Sequence, residues 1–234
     1  MLVIGQQEEN TTQRRNFFRA MADFGIGPVT LLLILVCAAT FIEQYFKGPR
    51  FLENFYISGV DIADAGSITV WRGFLERLSS FHQILPEIKQ GQVWRLFTPL
   101  FVHLTFTHIF FNLVCLRDLG SVIEARLHSF WLLILVLFMA PVSNLALYLI
   151  IGASAGGMSC LVYALAAYVW VRGKFNPESR LYLNPITLGI LLIWALACLV
   201  GILGPILNTA HAIGLVMGTA WGALSSLLHR WKRA

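Results

Sequence analysis

Long stretches of apolar residues recur along this chain of 234 residues, and we count six of them. A helix rises about 1.5 Å per residue, so an apolar run of about 20 residues matches a bilayer core of about 30 Å. The pattern therefore predicts an all-α polytopic membrane protein with six transmembrane helices. The predicted spans are 28–46, 105–124, 130–151, 157–171, 185–203 and 208–228.

The polar stretches predict the domain organisation. Residues 1–26 form a short tail, residues 27–228 form the membrane domain, and residues 229–234 form a basic tail. Within the membrane domain, residues 47–95 make a long first loop. We expect both tails to be too short for a globular domain of their own.

One part of the first loop has helical periodicity. Its sequence VWRGFLERLSSFHQIL places apolar side chains on one face and polar side chains between them, which predicts an amphipathic helix. Such a helix lies in the headgroup region of the membrane or packs over the helical bundle. In both cases the loop is structured and membrane-associated. The apolar positions are Trp71, Phe74, Leu75, Leu78 and Phe81.

Composition supports a membrane protein, and basic residues set its orientation. The chain is 57% hydrophobic and only 12% charged, with a mean hydropathy of +0.71, outside the usual balance of soluble proteins. Its first residues are mostly polar and do not resemble a signal peptide. Six spans place four basic segments on one side, which is cytoplasmic by the positive-inside rule. These segments are Arg14, Arg15 and Arg19; Arg117 and Arg126; Arg172, Lys174 and Arg180; and Arg230, Lys232 and Arg233.

This orientation predicts cytoplasmic N- and C-termini. The first loop carries six basic and five acidic residues, but long loops follow the rule only weakly. The formal charge of +5 comes from these flanks. No basic face with interleaved aromatic residues indicates nucleic-acid binding. The four cysteines lie in or beside the spans without Cys-x-x-Cys spacing, which favours small buried side chains over disulfides or metal ligands.

Polar side chains concentrate in the outer half of the predicted membrane domain, where an unpaired group is costly. His108 and Asn112 are four residues apart and share a helix face. His211 begins a stripe of one histidine and three glycines at helical spacing, which allows close approach to another helix. Ser159 begins the fourth span on the same side. The three glycines are Gly214, Gly218 and Gly222.

This set of side chains is suited to acyl transfer. A histidine can take the proton of a serine hydroxyl, and preorganised donors can stabilise the oxyanion that forms after attack on a carbonyl. Since no acidic residue within the spans lies on the same side, the pair would be a Ser-His dyad. Interhelical hydrogen bonding by His108 and Asn112 is the simpler alternative. A metal site of His103, His108 and His211 is also conceivable, but it lacks a carboxylate.

Several motifs occur in an order that resembles the rhomboid intramembrane serine proteases, especially the bacterial six-helix type. They are VWRLFTPLFVH before the second span, His103, His108 and Asn112 in HxxxxHxxxN, Gly120 and Glu124 in GxxxE, Gly157 to Ser159 in GMS, and AHAIGLVMG around His211. The likeness covers about residues 27–228. It implies a six-transmembrane-helix rhomboid bundle in a bacterial inner membrane.

The resemblance also implies roles for individual residues. Ser159 would be the nucleophile and His211 the base, with His108, Asn112 and the Ser159 backbone N–H as oxyanion donors. Gly157 would allow close backbone approach, and Tyr163 would pack on His211. The implied reaction is hydrolysis of peptide bonds in or near transmembrane segments of other proteins, in the lipid bilayer and without a cofactor or metal. His103, Trp94 and Arg95 would tie the first loop to the bundle.

Two positions depart from the family pattern. Cys160 replaces the glycine that follows the serine, and His128 replaces the last glycine of the pattern that starts at Gly120. A thiol beside Ser159 would crowd the crossing of the fourth and sixth spans, so an impaired relative that binds membrane clients is the alternative function. A transporter is a third hypothesis, but its polar groups would have to reach both faces of the membrane.

A second serine competes with Ser159. Ser154 lies in GASAG, which matches the Gly-x-Ser-x-Gly nucleophile elbow. That motif works only at a strand-turn-helix corner of an α/β sheet, which this chain cannot build. Ser154 also lies in a connecting loop, whereas Ser159 begins a helix at a fixed depth. We therefore predict that Ser159 carries the chemistry.

Overall fold

The protein is helical throughout the residues that the computed structural model describes, which are 25–58, 70–79, 85–152, 156–202 and 206–231. They form eight α-helices with short 3₁₀ turns in the connections, and no strand occurs among these residues. The helices are α1 (Pro28–Lys47), α2 (Val70–Ser79), α3 (Pro86–Lys89), α4 (Phe106–Leu127), α5 (Ser129–Ile150), α6 (Ser159–Phe175), α7 (Pro185–Leu199) and α8 (Ile206–Trp231).

Each predicted span coincides with a helix, but the helices differ in length. Among the described residues, four helices are long and apolar enough to cross a membrane, namely α1, α4, α5 and α8. Helix α6 has 17 residues and α7 has 15. The all-helical membrane class is confirmed, whereas the count of six crossings stays a prediction.

Two predicted boundaries are wrong by several residues. Helix α6 continues four residues past 171, because Arg172 and Lys174 sit favourably at a helix C-terminus. Helix α7 ends at Leu199 although the apolar run continues, and Gly201 follows with a φ of 80°. Hydropathy shows how long an apolar stretch of sequence is, but a helix ends where the backbone turns.

Helix α6 is the central element of the bundle. Every residue from Ser159 to Val169 is buried, as expected for a helix that is apolar around its whole circumference. Helix α8 packs against it along the predicted glycine stripe. An added Cβ at Gly214 would overlap the carbonyl oxygen of Cys160, and one at Gly218 would overlap that of Ala164. The close helix approach expected from the glycine spacing is therefore confirmed.

Helix α2 supplies the helical part of the first loop and packs against α5. Leu75 and Leu78 on this helix are exposed. Phe81 and the side chain of Trp71 lie outside the described residues. Apolar side chains on a surface helix suit a membrane interface, but the membrane association of this loop stays a prediction.

Hydrogen bonds hold the rest of the first loop to the bundle. The buried Arg95 guanidinium donates to the carbonyl oxygens of Glu53 and Tyr56 at 2.9 and 2.8 Å. Asn144 of α5 donates to the carbonyl oxygen of Leu96 at 2.8 Å. The loop therefore has a defined position above the start of α4. Trp94 contributes less, since its side chain is 52% exposed.

The opposite end of α4 is tied to the start of α1. Glu124 accepts hydrogen bonds from the backbone N–H groups of Val29 and Thr30 at 3.0 and 2.9 Å, and from the Thr30 hydroxyl at 2.5 Å. These N–H groups begin a helix and have no partner within it, so the carboxylate acts as a remote cap. An added Cβ at Gly120 would overlap Thr30 Oγ1. The Gly120 and Glu124 pair thus works as a docking point for α1.

Candidate active site

Ser159 is the first residue of α6, and its side chain is 1% exposed. Met158 precedes it as the helix cap, and the Met158 carbonyl accepts the first helical hydrogen bond from Val162 at 3.0 Å. The backbone N–H of Ser159 is therefore one of the groups that a helix leaves free at its N-terminus. The helix dipole favours negative charge at this point.

Gly157 brings the backbone before Ser159 against α4. Its φ is +118°, which side chains rarely adopt, and its N–H donates to the Pro99 carbonyl at 2.7 Å. An added Cβ would lie 3.0 Å from Cε1 of His108. Only glycine therefore permits both this turn and this contact.

His108 and Asn112 lie on the buried face of α4, at 8% and 6% exposure. The helix starts just before them, where the Thr105 hydroxyl accepts a hydrogen bond from the His108 backbone N–H at 3.2 Å. Their four-residue spacing places both side chains toward the bundle interior, on the helix that Gly157 contacts.

His211 approaches from α8, on the same stripe as the glycines. Its ring stacks on Tyr163 of α6, with ring centroids 4.1 Å apart and an angle of 21° between the planes. Tyr163 is one turn after Ser159. His211 also lies within electrostatic range of His108. Three helices thus bring two histidines, an asparagine and a serine into one region.

Polar atoms in this region are buried without hydrogen-bond partners among the described residues. Elsewhere in proteins most buried polar atoms are paired, because desolvating an unpaired group costs about 1–3 kcal/mol. A concentration of such atoms indicates a site prepared for something other than its own packing. The atoms are Ser159 Oγ, His108 Nε2, Asn112 Nδ2, His103 Nε2, and both ring nitrogens of His211.

His103 borders this region from the segment between the first loop and α4. Its ring is fully buried, makes an edge contact with His108 at 5.1 Å between centroids, and places Nδ1 3.2 Å from the Phe101 carbonyl oxygen. Burial lowers the pKa of His103 to about 3, with the neighbouring His108 as the second cause. The ring is therefore neutral at physiological pH.

Two contacts of α7 at this site have no signal in the sequence. The Trp194 ring lies 6.3 Å from that of His108, and the Leu191 carbonyl accepts a hydrogen bond from the Tyr163 hydroxyl at 2.6 Å. An aromatic residue in an apolar helix faces lipid or protein equally well, and a backbone carbonyl is present at every position. Only the packing of α7 shows that it borders the site.

Comparison with known proteins identifies the family. The family model described as the Rhomboid domain matches residues 90–227. A curated relative, Rhomboid protease GlpG of Klebsiella pneumoniae subsp. pneumoniae, is 31% identical over 231 residues, covering 98% of this chain and 74% of its own length. Rhomboid protease GlpG of Salmonella paratyphi A is 30% identical over 224 residues, covering 95% and 72%.

The chain belongs to the rhomboid family.

This membership confirms the resemblance seen in the sequence motifs. The chain is an integral membrane protein and a rhomboid-type serine protease, a hydrolase. The family match contains the predicted polar positions of α4, α6 and α8. Their individual roles stay predictions, which the geometry above makes specific.

In this rhomboid the Cys160 thiol is accommodated within the bundle. It interacts with the Ser143 hydroxyl and the Gly214 backbone, and it packs in a buried cluster with Leu147 and Ala210. The side chain therefore occupies the junction of α5, α6 and α8. Close approach at the crossing takes place along the Cys160 backbone, which Gly214 contacts.

The sequence also leaves two alternatives, a nucleophile at Ser154 and a metal site of histidines. Ser154 lies outside the described residues. Within the described ranges, no group of three or more His, Cys, Asp or Glu side chains is arranged to hold a metal ion. His103 and His108 are close together, but the structure adds no third ligand of these types.

Proposed function

We propose that this rhomboid is an active intramembrane endopeptidase in which Ser159 is the nucleophile and His211 is the general base. The observation that carries the proposal is the concentration of buried, unpaired polar atoms around the start of α6. Helix α6 supplies the serine, α8 the histidine, and α4 the donors His108 and Asn112. Catalytic hydrogen bonds are often long before substrate binds, so an unpaired Ser159 Oγ is compatible with this role.

The proposed reaction passes through an acyl-enzyme. His211 takes the proton of Ser159 Oγ as this oxygen attacks the scissile carbonyl, and the carbonyl oxygen becomes an oxyanion. The Ser159 N–H, His108 and Asn112 donate hydrogen bonds to it. When the C–N bond breaks, His211 protonates the leaving amine. Water then attacks the acyl ester, giving its proton to His211, which returns one to Ser159 Oγ.

Tyr163 takes a supporting role in this proposal. No described acidic side chain hydrogen-bonds to His211, so the imidazole is oriented by packing. Stacking at 4.1 Å holds the ring on α6, and the bond from the Tyr163 hydroxyl to the Leu191 carbonyl fixes Tyr163 against α7. Gly157 supports the oxyanion site by permitting the approach to His108.

The proposed substrates are transmembrane segments of other membrane proteins. In the proposed topology α1, α4, α5, α6, α7 and α8 all cross the bilayer. Ser159 and His211 lie in the outer leaflet of the inner membrane, with cytoplasmic N- and C-termini. The support is the distribution of lysine and arginine together with the family. A peptide bond that reaches the site from the lipid would meet Ser159 below the membrane surface.

The alternative function is a rhomboid relative that binds membrane clients without cutting them. Its motivation is Cys160, since a thiol would crowd the nucleophile. The packing of this thiol among α5, α6 and α8 gives no specific support for such a client binder. We therefore prefer the active protease.

Activity-based labelling together with cleavage tests this proposal. A serine-directed fluorophosphonate should label the wild type in detergent but neither Ser159→Ala nor His211→Ala. On a panel of transmembrane substrates with product masses mapped, Ser159→Ala should lower the cleavage rate by about 10³-fold or more. Ser154→Ala is the control and should keep both signals.

The outcomes separate the hypotheses. A well-folded wild type that neither labels nor cleaves would favour the client binder. Loss of cleavage in Ser154→Ala with activity retained in Ser159→Ala would refute the choice of nucleophile.

A further inference from the structure

A cavity of about 300 Å³ lies at the end of the bundle far from Ser159. It opens between the start of α5, the last turns of α6 and the last turns of α8, where it is lined by Trp131, Arg172 and Trp221 together with later residues of α8. Ser159 begins α6, whereas Arg172 lies close to its end. The cavity therefore belongs to a different part of the molecule from the proposed active site.

Arg172 provides a fixed positive charge at this cavity. Its guanidinium donates to the Tyr168 hydroxyl at 3.0 Å, and its central carbon lies 5.8 Å from the ring centroid of Trp131. Its Nε is buried and has no hydrogen-bond partner among the described residues. No described carboxylate forms an ion pair with it. The charge is oriented by its neighbours but not neutralised by them.

Other lining residues make the cavity both polar and apolar. His229 lies at its edge, with Nε2 3.3 Å from Glu178 Oε2. Leu224 and Leu228 form an apolar wall and are about half exposed. The indole N–H of Trp221 is buried and has no acceptor among the described residues. An occupant would need an anionic group and an apolar portion next to each other.

We propose that this cavity binds the headgroup of one anionic phospholipid. The phosphodiester would accept hydrogen bonds from the Arg172 guanidinium, and an acyl chain would lie along Leu224 and Leu228. Basic pockets between helices at the cytoplasmic face are suited to anionic lipids, and the orientation proposed above places this cavity in that leaflet. Guanidinium binds phosphate with two parallel N–H donors, which a lone surface lysine does not provide.

Native mass spectrometry of the purified full chain tests the site. The protein is released from detergent with added palmitoyl-oleoyl phosphatidylglycerol or with phosphatidylcholine of the same chains, and the bound lipid is counted. Arg172→Gln should lower phosphatidylglycerol occupancy by roughly five-fold, the effect of about one basic residue near a lipid surface, and leave phosphatidylcholine unchanged. Lys174→Gln is the matched control, because Lys174 is exposed at the same end and does not line the cavity.

A second variant guards against a folding defect in Arg172→Gln. Leu228→Trp adds volume at the apolar wall while it keeps Arg172 and its bond to Tyr168, and it should also reduce phosphatidylglycerol occupancy. Equal occupancy in wild type, Arg172→Gln and Leu228→Trp would overturn the proposal. An equal loss in Lys174→Gln would do so too, since it would indicate diffuse surface charge. If soluble glycerophosphoglycerol bound as tightly as the lipid, the ligand of this cavity would be a simple phosphate group and not a lipid.

Discussion

At the scale of single residues, two unusual backbone positions have different meanings. Gly157 has a φ of +118° where the chain must pass His108, and glycine meets both requirements. His128 has a φ of 71° and a ψ of 156° at the corner between α4 and α5, where a side chain is strained. In the family pattern glycine stands at the position of His128. The positive φ at this corner gives the physical reason for that glycine.

Gly157→Ala should inactivate the protein without unfolding it. The methyl group would meet His108 at 3.0 Å and impose a strained backbone that costs about 1–3 kcal/mol. When this strain displaces the oxyanion donors, kcat/KM should drop by roughly ten- to hundred-fold. Rates of substrate cleavage measure this drop. Gly189→Ala is the control, because an added Cβ at Gly189 meets nothing within 4 Å. Unchanged kcat/KM in Gly157→Ala would contradict the proposed role.

His128→Gly should stabilise the protein. The His128 side chain is exposed, so little packing is lost. Glycine adopts this backbone conformation without strain, which should raise the free energy of unfolding by about 1 kcal/mol or more. The apparent Tm in detergent should therefore rise by about 2–4 °C. Arg180→Gly is a useful comparison, since its φ of 52° and ψ of 22° lie in a less costly left-handed region and predict a smaller gain. A lower Tm for His128→Gly would refute the strain argument.

At the scale of elements, the crossing of α6 and α8 controls the site. Glycines on α8 allow its backbone to contact that of α6, and this contact sets the height of His211 relative to Tyr163 and Ser159. Helix α7 contributes from the side through Leu191 and Trp194. The geometry of the proposed dyad is therefore a property of helix packing more than of the short motif around Ser159.

Gly218→Leu should separate α6 from α8. Its side chain has no room against the Ala164 carbonyl, and overpacking of this kind typically costs about 1–3 kcal/mol or more. We expect the apparent Tm to fall by about 2–12 °C, with activity lost as His211 moves. Ala220→Leu adds the same side chain at an exposed position of α8 and should have little effect. Equal Tm values for the two variants would show that the crossing tolerates bulk.

At the scale of the whole molecule, the two ends of the bundle have different chemistry. One end holds Ser159 and His211 among buried polar atoms, and the other holds Arg172 and Lys174 from one of the basic segments that predict the cytoplasmic side. The short helix α7 is the critical element for the topology, because its 15 residues are few for a bilayer crossing. Its crossing decides whether the connections before and after α7 lie on opposite sides of the membrane.

Cysteine accessibility on the two sides of α7 tests the topology. The four native cysteines are buried, so background labelling should be low. In intact cells a membrane-impermeant maleimide should label Ile202→Cys, an exposed position after α7, and should label Arg180→Cys only after lysis. Labelling of both positions under the same condition would mean that α7 does not cross the membrane.

The sequence by itself determined the helical membrane class, the approximate spans and the residues that share a helix face. Hydropathy and the 3.6-residue period are local properties, so they located His108 with Asn112 and the stripe from His211 to Gly222. The motifs also selected Ser159 and the family. Helix ends such as that of α7 were less accurate, because a backbone turn leaves little trace in hydropathy.

Only the tertiary structure decided which helices meet and at what height. The resemblance implied that Tyr163 packs on His211. The approach of Gly157 to His108 and the contacts of α7 came only from the structure, and they join residues far apart in the chain. The cavity at Arg172 also joins distant residues, because its lining comes from three helices. A helix period tells which side of an element is apolar, but many partners can cover that side. Packing of all the elements together selects one arrangement, and with it the neighbours of Ser159.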